Sequence, residues 1–435
     1  MPISIAICGA GPAGLTLARL LQISGLDVSV SVYERDASST SRPSQGGTLD
    51  LHPDTGLAAL RQAELFHASV QHLRYDGEEM VIADKNATTF IHMKEQPKWA
   101  GGKFARPEID RENLQRILLD SVEASWIHWG KKLEDIEDDT RILRFRDGST
   151  AGPFDLVVGA DGAWSKVRHV LSDVRPQYAG VCGFAGLITA PDEVFPHISK
   201  QVGQGIYLAI SDKRTLTAQR LGDASISVHA WLSREEHYAA DLVGTYQYDE
   251  SKLKQKIMDQ YHDWAPELKQ WIEVSSKIEA RNLYELPVGH TWEHKRGYTL
   301  IGDAASLFTP FAGEGVNKAM KDSLVLCDAL KDALQDGNGS LENLDMAVQA
   351  YETEMFVRAK FWQAETMKNK THMFGDGGVP DFLAEMTLSV FREVGIDLSK
   401  GLWRFLPAHF CARWIATSVQ KVGSWRRSIR EWFRK

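Results

Sequence analysis

Apolar and polar positions along this chain switch between two periods, and the switches mark its elements. Ile3–Cys8 is a short apolar, β-branched run; Gly9-Ala-Gly-Pro-Ala-Gly14 interrupts it, and Ala13–Leu21 then carries apolar residues at helical spacing. This predicts strand, tight turn, helix. Val28–Tyr33 is a second strand-like run and ends on Glu34. Thr55–Phe66 reads as a helix. Asp110 is placed to cap another, with Leu114, Ile117, Leu118, Ser121 and Val122 following at i, i+3, i+4, i+7, i+8 spacing. Arg141–Phe145, Asp147-Gly148 and Phe154–Val158 predict a hairpin and a return strand into Gly159-Ala-Asp-Gly162. Between Tyr178 and Leu232 alternation prevails in Gly186–Ala190, Gly205–Ile210, Leu216–Gln219 and Ser225–Trp231, the signature of an antiparallel sheet. A helix is expected near Ser251–Trp264, a strand over Tyr298–Ile301 running into Gly302-Asp303, a helix from Asn317 to Leu334, and a long helix over Leu344–Met373. Gln335–Ser340 reads as a linker and the glycine-rich Phe374–Pro380 as a separator.

Composition narrows the class. At 435 residues the chain has room for two or three domains, or one large α/β body with an inserted lobe. With 43% hydrophobic and 25% charged residues it is an ordinary globular protein. Cys8, Cys182, Cys327 and Cys411 lie far apart without a CxxC, which argues against a disulfide framework or a zinc site and for a reducing compartment. The first strand begins beside Met1, leaving no room for a signal peptide, and no apolar stretch reaches the roughly 18 residues of a membrane span, so a cytoplasmic location is expected. No metal site is expected, since the fourteen histidines are scattered without an HxxxH or a His-carboxylate cluster and read as structural or surface residues. Trp126-Ile-His-Trp129 reads as a surface strand.

Net charge is −8, but residues 401–435 carry eight Lys/Arg and one acid, +7, leaving about −15 on the rest. An acidic body argues against nucleic acid as a partner. In the tail, Trp414, Trp425 and Trp432 recur near whole helical turns among arginines; the 408–435 stripe suits either a peripheral membrane surface or packing on the body. A monomer is expected.

The chemistry sits in glycines and carboxylates at strand ends. In the first turn Gly9 permits the bend, Gly11 lets backbone N–H groups approach a pyrophosphate, and Gly14 allows close helix–strand packing, with phosphates at the positive helix N-terminus. Glu34 follows Gly14 by 20 residues, the distance at which a dinucleotide fold places a carboxylate on a ribose hydroxyl. Asp161-Gly162 and Gly302-Asp303 fall at two further predicted strand ends, where a doubly wound sheet presents its ligand. Three such ends suggest one extended dinucleotide along the sheet edge, although the glycines alone do not separate NAD from FAD.

Gly9–Gly14, Asp161-Gly162-Ala-Trp-Ser-Lys-Val-Arg168, and Gly302-Asp303 with Pro310-Phe-Ala-Gly-Glu-Gly-Val-Asn317 resemble the three fingerprints of the single-component (class A) flavoprotein monooxygenases, the para-hydroxybenzoate hydroxylase superfamily. Gly46-Gly-Thr-Leu-Asp-Leu-His52, Pro107-Glu-Ile-Asp-Arg111 and Pro310–Asn317 are similar to the TetX-type tetracycline-inactivating monooxygenases. The resemblance covers residues 3–373, is thin between 170 and 295, and leaves the tail without a counterpart. It implies an α/β fold: a Rossmann-like FAD-binding domain from 1–75, 100–175 and 290–340; an inserted antiparallel substrate lobe from 76–99 and 176–289; a long bridging helix over 341–374; and a basic helical extension over 375–435.

For the site, the resemblance implies that Glu34, with Arg35 beside it, holds the adenosine ribose of FAD, that Asp50, Arg111 and Asp303 contact FAD, and that Asp161 and Gly162 serve both nucleotides. Gly313–Gly315 would aim backbone N–H groups and a helix N-terminus at the flavin pyrimidine, Pro310, Val316 and Asn317 would also bind the cofactor, and Arg42 is a candidate NADPH contact. Reduced by NADPH, the flavin would form a C4a-hydroperoxide with O2 and oxygenate an aromatic or polycyclic molecule, so no catalytic side chain is assigned. Phe184, Tyr207, Trp231 and Phe374 are candidate pocket walls, and equally candidate core. A flavin oxidase or dehydrogenase, or a flavin- or drug-binding protein without turnover, are the alternatives. Two departures stand out: Gly313-Glu314-Gly315 where the family often reads Gly-Gln-Gly, and Gly183–Ile188, which offers no Gln to a substrate.

Overall fold

The computed structural model describes residues 2–41, 47–94, 105–334 and 340–393, with side chains through Ser389. Arg42, residues 335–339 and the basic tail from residue 394 lie outside the described residues. The chain divides into two compact units. The first comprises Met1–Leu73, Ile109–Gln177 and Tyr284–Ala364; the second takes in Arg74–Glu108, Tyr178–Leu283 and the chain from Glu365 onward.

The first unit is built on a five-stranded parallel sheet in the order Tyr298–Leu300, Leu156–Gly159, Ile3–Cys8, Val28–Tyr33, Ile127–His128. Its central strands are apolar on both faces, as a parallel sheet covered on both sides requires, and Leu156, Val157 and Val158 are fully buried. The helix Pro12–Gln22 begins with Pro12 in its first turn, where the missing N–H costs nothing. It packs on the helix Gly315–Leu334, whose Ser323 hydroxyl donates to the Ala13 carbonyl at 2.8 Å. The Trp126–Trp129 stretch supplies the edge strand of this sheet, with Ile127 buried opposite Val32. A small antiparallel sheet of Leu133–Glu137, Ile142–Phe145 and Thr150–Ala151 accompanies it. The first of these strands was not predicted, because three of its five residues are acidic and only Leu133 and Ile136 turn inward.

The helix Leu341–Met373 is a single 33-residue element. Its Tyr351 hydroxyl donates to the Leu300 carbonyl at 2.9 Å. At the next residue, the buried Glu352 accepts from Trp292 Nε1 at 3.1 Å and Thr299 Oγ1 at 2.9 Å, and lies 2.8 Å from His294 Nδ1.

The second unit is a seven-stranded sheet in the order Ser276–Glu285, Gln177–Ile188, Ile226–Leu232, Arg214–Arg220, Ile206–Ser211, Met80–Ala83, Thr89–Met93. Its central pairs are antiparallel, but Met80–Ala83 joins Ile206–Ser211 in parallel. Helices Pro196–Val202, Glu250–Asp259 and Pro266–Val274 contribute to the core on one face, around the fully buried Trp271 and Tyr261.

Two predicted helices and one predicted separator are corrected. Thr55–Phe66 is two short helices, Gly56–Gln62 and Phe66–Val70, separated at Glu64, which takes a left-handed φ of 62°. Ser251–Trp264 ends at Asp259, since Trp264 turns into the core and Pro266 opens a new helix. The separator Phe374–Pro380 is shorter than expected: a helix starts at Gly378, tolerates Pro380 in its first turn, buries Val379, Phe382 and Leu383, and packs on Ile206–Ser211.

A pH dependence follows from His294. Desolvation lowers its pKa, but the Glu352 and Asp345 carboxylates at 2.8 and 3.3 Å outweigh it, and the net shift is upward. A folded-state pKa above the unfolded value of about 6.5 means that protonation favours the fold; the contribution is complete below that value and is lost as pH rises through the folded pKa. His294→Asn should therefore lower the urea midpoint more at about pH 6 than at about pH 9. Equal losses at the two pH values would remove the ion pairs from the stability of this corner.

Candidate functional site

Strand register brings the glycine–carboxylate elements to one edge. Cys8 lies beside Tyr33 on one side and Gly159 on the other, and Gly159 beside Leu300. The residues that follow, Gly9, Glu34, Ala160-Asp161 and Ile301-Gly302-Asp303, therefore leave the sheet together at its carboxyl end. A Cβ on Gly9 would stand 2.4 Å from the Ala160 carbonyl oxygen, and Gly9 has φ +113°. A Cβ on Gly14 would stand 2.0 Å from the Gly9 oxygen. These two glycines serve packing. Gly11, Gly162 and Gly315 differ, because nothing lies within 4 Å of the position their Cβ would take. They open onto free space, Gly11 and Gly162 just past strand ends and Gly315 at the start of the helix Gly315–Leu334, as a cradle for a ligand backbone requires.

Glu34 is buried, and its carboxylate accepts from Ala10 N at 2.8 Å and Asp36 N at 3.0 Å. It thereby ties the glycine turn to the end of the second strand. Arg35 points outward, 4.0 Å from Asp36.

The charges at the edge are arranged in pairs. Arg111 and Asp303 are open to solvent, yet both are desolvated: burial lowers the Arg111 pKa and raises that of Asp303, each partly opposed by the other's charge. Water access combined with a dense protein surround is the condition of a deep cleft wall. Burial likewise raises the Asp161 pKa, although Lys166 N donates to its Oδ2 at 2.7 Å. Two cations that the sequence reading passed over hold the frame. Arg168, fully buried, donates from Nη1 to the Ala304 carbonyl at 3.0 Å and from Nη2 to the Ala163 carbonyl at 2.6 Å, clamping the second and third fingerprints together. Lys318 donates to the Gly302 carbonyl at 3.0 Å and to Asp322 at 2.6 Å; Asp322 also accepts from Gly302 N and from Arg358.

The far corner is built on Asn317, which is completely buried. Its Oδ1 accepts from His52 N at 2.9 Å, Thr55 Oγ1 at 3.1 Å and Gly56 N at 3.3 Å, and its Nδ2 donates to the Asp50 carbonyl at 2.8 Å. Asn317, expected at the cofactor, thus uses its side chain to pin the Thr48–Gly56 segment to the helix Gly315–Leu334. Asp50 reaches the turn before that helix, since a Cβ on Gly313, itself left-handed at φ +70°, would lie 3.5 Å from Asp50 Oδ1. Pro310 opens the 3-10 turn that leads into Gly313, and Val316 sits in the first turn of the helix. Between Asp50 and Glu314 stands His52, at 2.7 and 2.9 Å. Reading the histidines as scattered missed this group, because the two carboxylates come from segments 264 residues apart. Its members nevertheless sat inside the quoted motifs.

Of the pocket candidates in the second unit, Phe184 and Tyr207 lie in its buried core cluster, with Tyr207 packed edge-on to Trp271 at 5.1 Å. Alternation decides this, because Phe184 and Tyr207 share phase with Ala230 and Ala218, their cross-strand partners in that core. Trp231 has the opposite phase. Its ring stacks on His229 at 5.7 Å and 5°, and burial pushes the His229 pKa down to about 4, keeping it neutral. Phe374 is buried just past the long helix.

A doubly wound parallel sheet whose carboxyl edge carries open glycines and paired charges defines a dinucleotide-binding protein. The model of the FAD binding domain family matches residues 3–360. The chain is 31% identical over 442 residues to monooxygenase asqM of Emericella nidulans, covering 88% of this chain and 98% of that one. The structure superposes on Klebsiella pneumoniae HpxO complexed with FAD and uric acid with a TM-score of 0.70 at 18% identity, covering 96% and 97% of the two chains. It superposes on tetracycline destructase Tet(51) with a TM-score of 0.60 at 17% identity, covering 97% and 98%. At those identities both are likenesses of fold. The chain belongs to the FAD binding domain family and is an FAD-dependent monooxygenase. The TetX-type likeness stands as one of fold.

Two kinds of glycine predict two outcomes. Gly11→Ser retains a good helix cap and should leave the melting temperature of the apoprotein nearly unchanged while weakening FAD binding at least about tenfold. Gly14→Ala forces a backbone shift and should destabilise the fold by about 1–3 kcal/mol even without ligand. Asn317→Ala leaves two buried N–H groups without their acceptor and should cost about 2–4 kcal/mol in chemical denaturation. A loss below about 0.5 kcal/mol would show that the pin is not needed.

Proposed function

We propose that this monooxygenase binds FAD extended along the strand ends, takes reducing equivalents from NADPH, and inserts one atom of O2 into a polycyclic or aromatic small molecule, by hydroxylation or epoxidation. The observation that carries the reading is the set of open glycines, Gly11 and Gly162 just past strand ends in register and Gly315 at the N-terminus of a helix, with Arg111 and Asp303 lining a desolvated but water-accessible cleft. Glu34 would accept from the adenosine ribose, and the N-terminus of the helix Pro12–Gln22 would face the pyrophosphate. Asp161 and Asp303 lie on the path between the turns. The N–H groups of Gly313–Gly315 and the N-terminus of the 20-residue helix they precede would stabilise negative charge on the reduced ring system.

Bound FAD would supply the redox chemistry, accepting two electrons from NADPH and, through a C4a-hydroperoxyflavin, passing one oxygen atom to an electron-rich carbon while the other leaves as water. The protein's part is to hold, orient and exclude water. Trp231 and the neutral His229 offer a flat wall with a hydrogen-bonding edge, suited to an uncharged aromatic ring. The compounds named with the relatives support the class: HpxO binds uric acid, and Tet(51) is a tetracycline destructase.

The test is reconstitution with FAD followed by an aromatic and polycyclic panel under ¹⁸O2. The expected result is a yellow protein, NADPH oxidation stimulated by substrate, and one labelled oxygen per product. Peroxide release with no label in any product would instead indicate an oxidase.

A further inference from the structure

One face of the seven-stranded sheet carries polar side chains that no described neighbour engages. The strands Gln177–Ile188, Ile226–Leu232, Arg214–Arg220 and Ile206–Ser211 send Phe184, Ala230, Ala218 and Ala209 into the core. The alternate residues face the other way, and the register sets them in rows. Ala185, His229, Thr217 and Leu208 stand side by side, all half-buried. The row on one side runs through Trp231 and Thr215, the row on the other through Ser227 and Gln219. Trp231 stacks on His229 at 5.7 Å and leans over Gly183, whose Cβ would lie 2.7 Å from its ring.

Among the described residues nothing bonds to the His229 ring, the Thr217 hydroxyl or the Trp231 indole N–H, and the fully buried Thr215 hydroxyl across from Trp231 is likewise without a partner. Desolvated polar groups left unpaired are unfavourable, so a cluster of them on one face points to a ligand that completes them. The face is also uncharged. No Asp, Glu, Lys or Arg stands in these three rows across the four strands. Burial pushes the His229 pKa down to about 4, and the cation that bears on it, Arg281 of Ser276–Glu285, is exposed and paired with Glu279. Gln219 donates to Glu108 at 2.9 Å, an acid that itself repels anions. A neutral imidazole offers one donor and one acceptor, and a hydroxyl offers both. An anion brought here would lose its water without meeting a free cation.

We propose that His229 and Thr217 select the substrate, holding an uncharged ring compound by a hydroxyl or ring N–H, and that this face refuses ring carboxylates. The inference rests on the reading of the protein as an oxygenase of aromatic molecules and adds which of them it takes. His229 and Thr217 are direct cross-strand partners, which places their Cβ atoms about 5 Å apart. One substrate hydroxyl therefore reaches both, donating to the imidazole nitrogen and accepting from the threonine. Trp231 holds the imidazole plane from behind, and Ala185 and Leu208 at the two ends of the row give the ring an apolar floor. A ring hydroxyl or N–H also feeds electron density to the ring carbons, which electrophilic oxygen transfer requires.

The experiment is isothermal titration of the FAD-loaded full chain with three probes of one shape: 2-naphthol, 2-methoxynaphthalene and 2-naphthoate. The wild type should bind 2-naphthol about tenfold tighter than the methyl ether and about a hundredfold tighter than the carboxylate. His229→Phe keeps the stack and removes both ring nitrogens; Thr217→Val keeps the shape and removes the hydroxyl. Each should bring 2-naphthol to within about twofold of the methyl ether while leaving the ether's own affinity unchanged, a pattern that a merely structural role would not give. If His229→Phe does not fold, Thr217→Val alone decides. Equal affinities of the three probes for the wild type, binding of none of them at about 1 mM, or variants that keep the preference for 2-naphthol would overturn the inference. Labelled product formed from 2-naphthoate as readily as from 2-naphthol under ¹⁸O2 would overturn the selectivity alone. The expected affinities with no labelled product from 2-naphthol would support the binding pair and overturn the oxygenation reading instead.

Discussion

The site depends on parallel strand pairing in one register. Cys8, Tyr33, Gly159 and Leu300 stand side by side, so four connections leave the sheet at one edge and their polar groups converge without any one of them being long. The pairing tolerates this crowding only because Gly9 and Gly14 lack side chains; a Cβ at either would fall within 2.4 Å of a backbone oxygen. Glu34 closes the arrangement, holding Ala10 N and Asp36 N with the same carboxylate that faces the edge. The turn is thus shaped before any ligand arrives, which lowers the ordering cost of binding.

A second layer keeps the distal loops in place. Arg168 holds two backbone carbonyls, while Lys318 and Arg358 meet on the carboxylate of Asp322 and Lys318 also holds the Gly302 carbonyl. Buried charges of this kind add little net stability, since desolvation offsets much of the attraction. Their effect is geometric: removing one partner leaves an uncompensated charge, so the loops at Ala163 and Gly302 are held to one conformation. Asn317 does the same for the Asp50–Gly56 segment with neutral groups.

Much of this was legible from residues. The α/β class followed from the periodicities, and the glycine–carboxylate elements were located at strand ends because Gly and Asp punctuate apolar runs in a recognisable way. The helix breaks at Glu64 and after Asp259 were not legible, because nothing in the local pattern marks a left-handed Glu or a Trp drawn into the core. The side of the sheet that Phe184 and Tyr207 face was not legible for a related reason. An apolar residue on a strand shows that one face is buried, and only the packing of helices shows which.

By itself the sequence determined the elements, the turn glycines and the acid at the ribose distance, since these are short-range properties of φ/ψ preference and periodicity. Only the tertiary structure decided how the charges are partnered. Whether Arg168 binds a substrate or clamps two loops, whether Asn317 meets a cofactor or pins a segment, and whether His52 is a lone surface histidine or the centre of a carboxylate pair depend on groups far away in the chain. Electrostatic partnership falls off over a few ångströms of space and is blind to sequence distance, so it is settled by the fold.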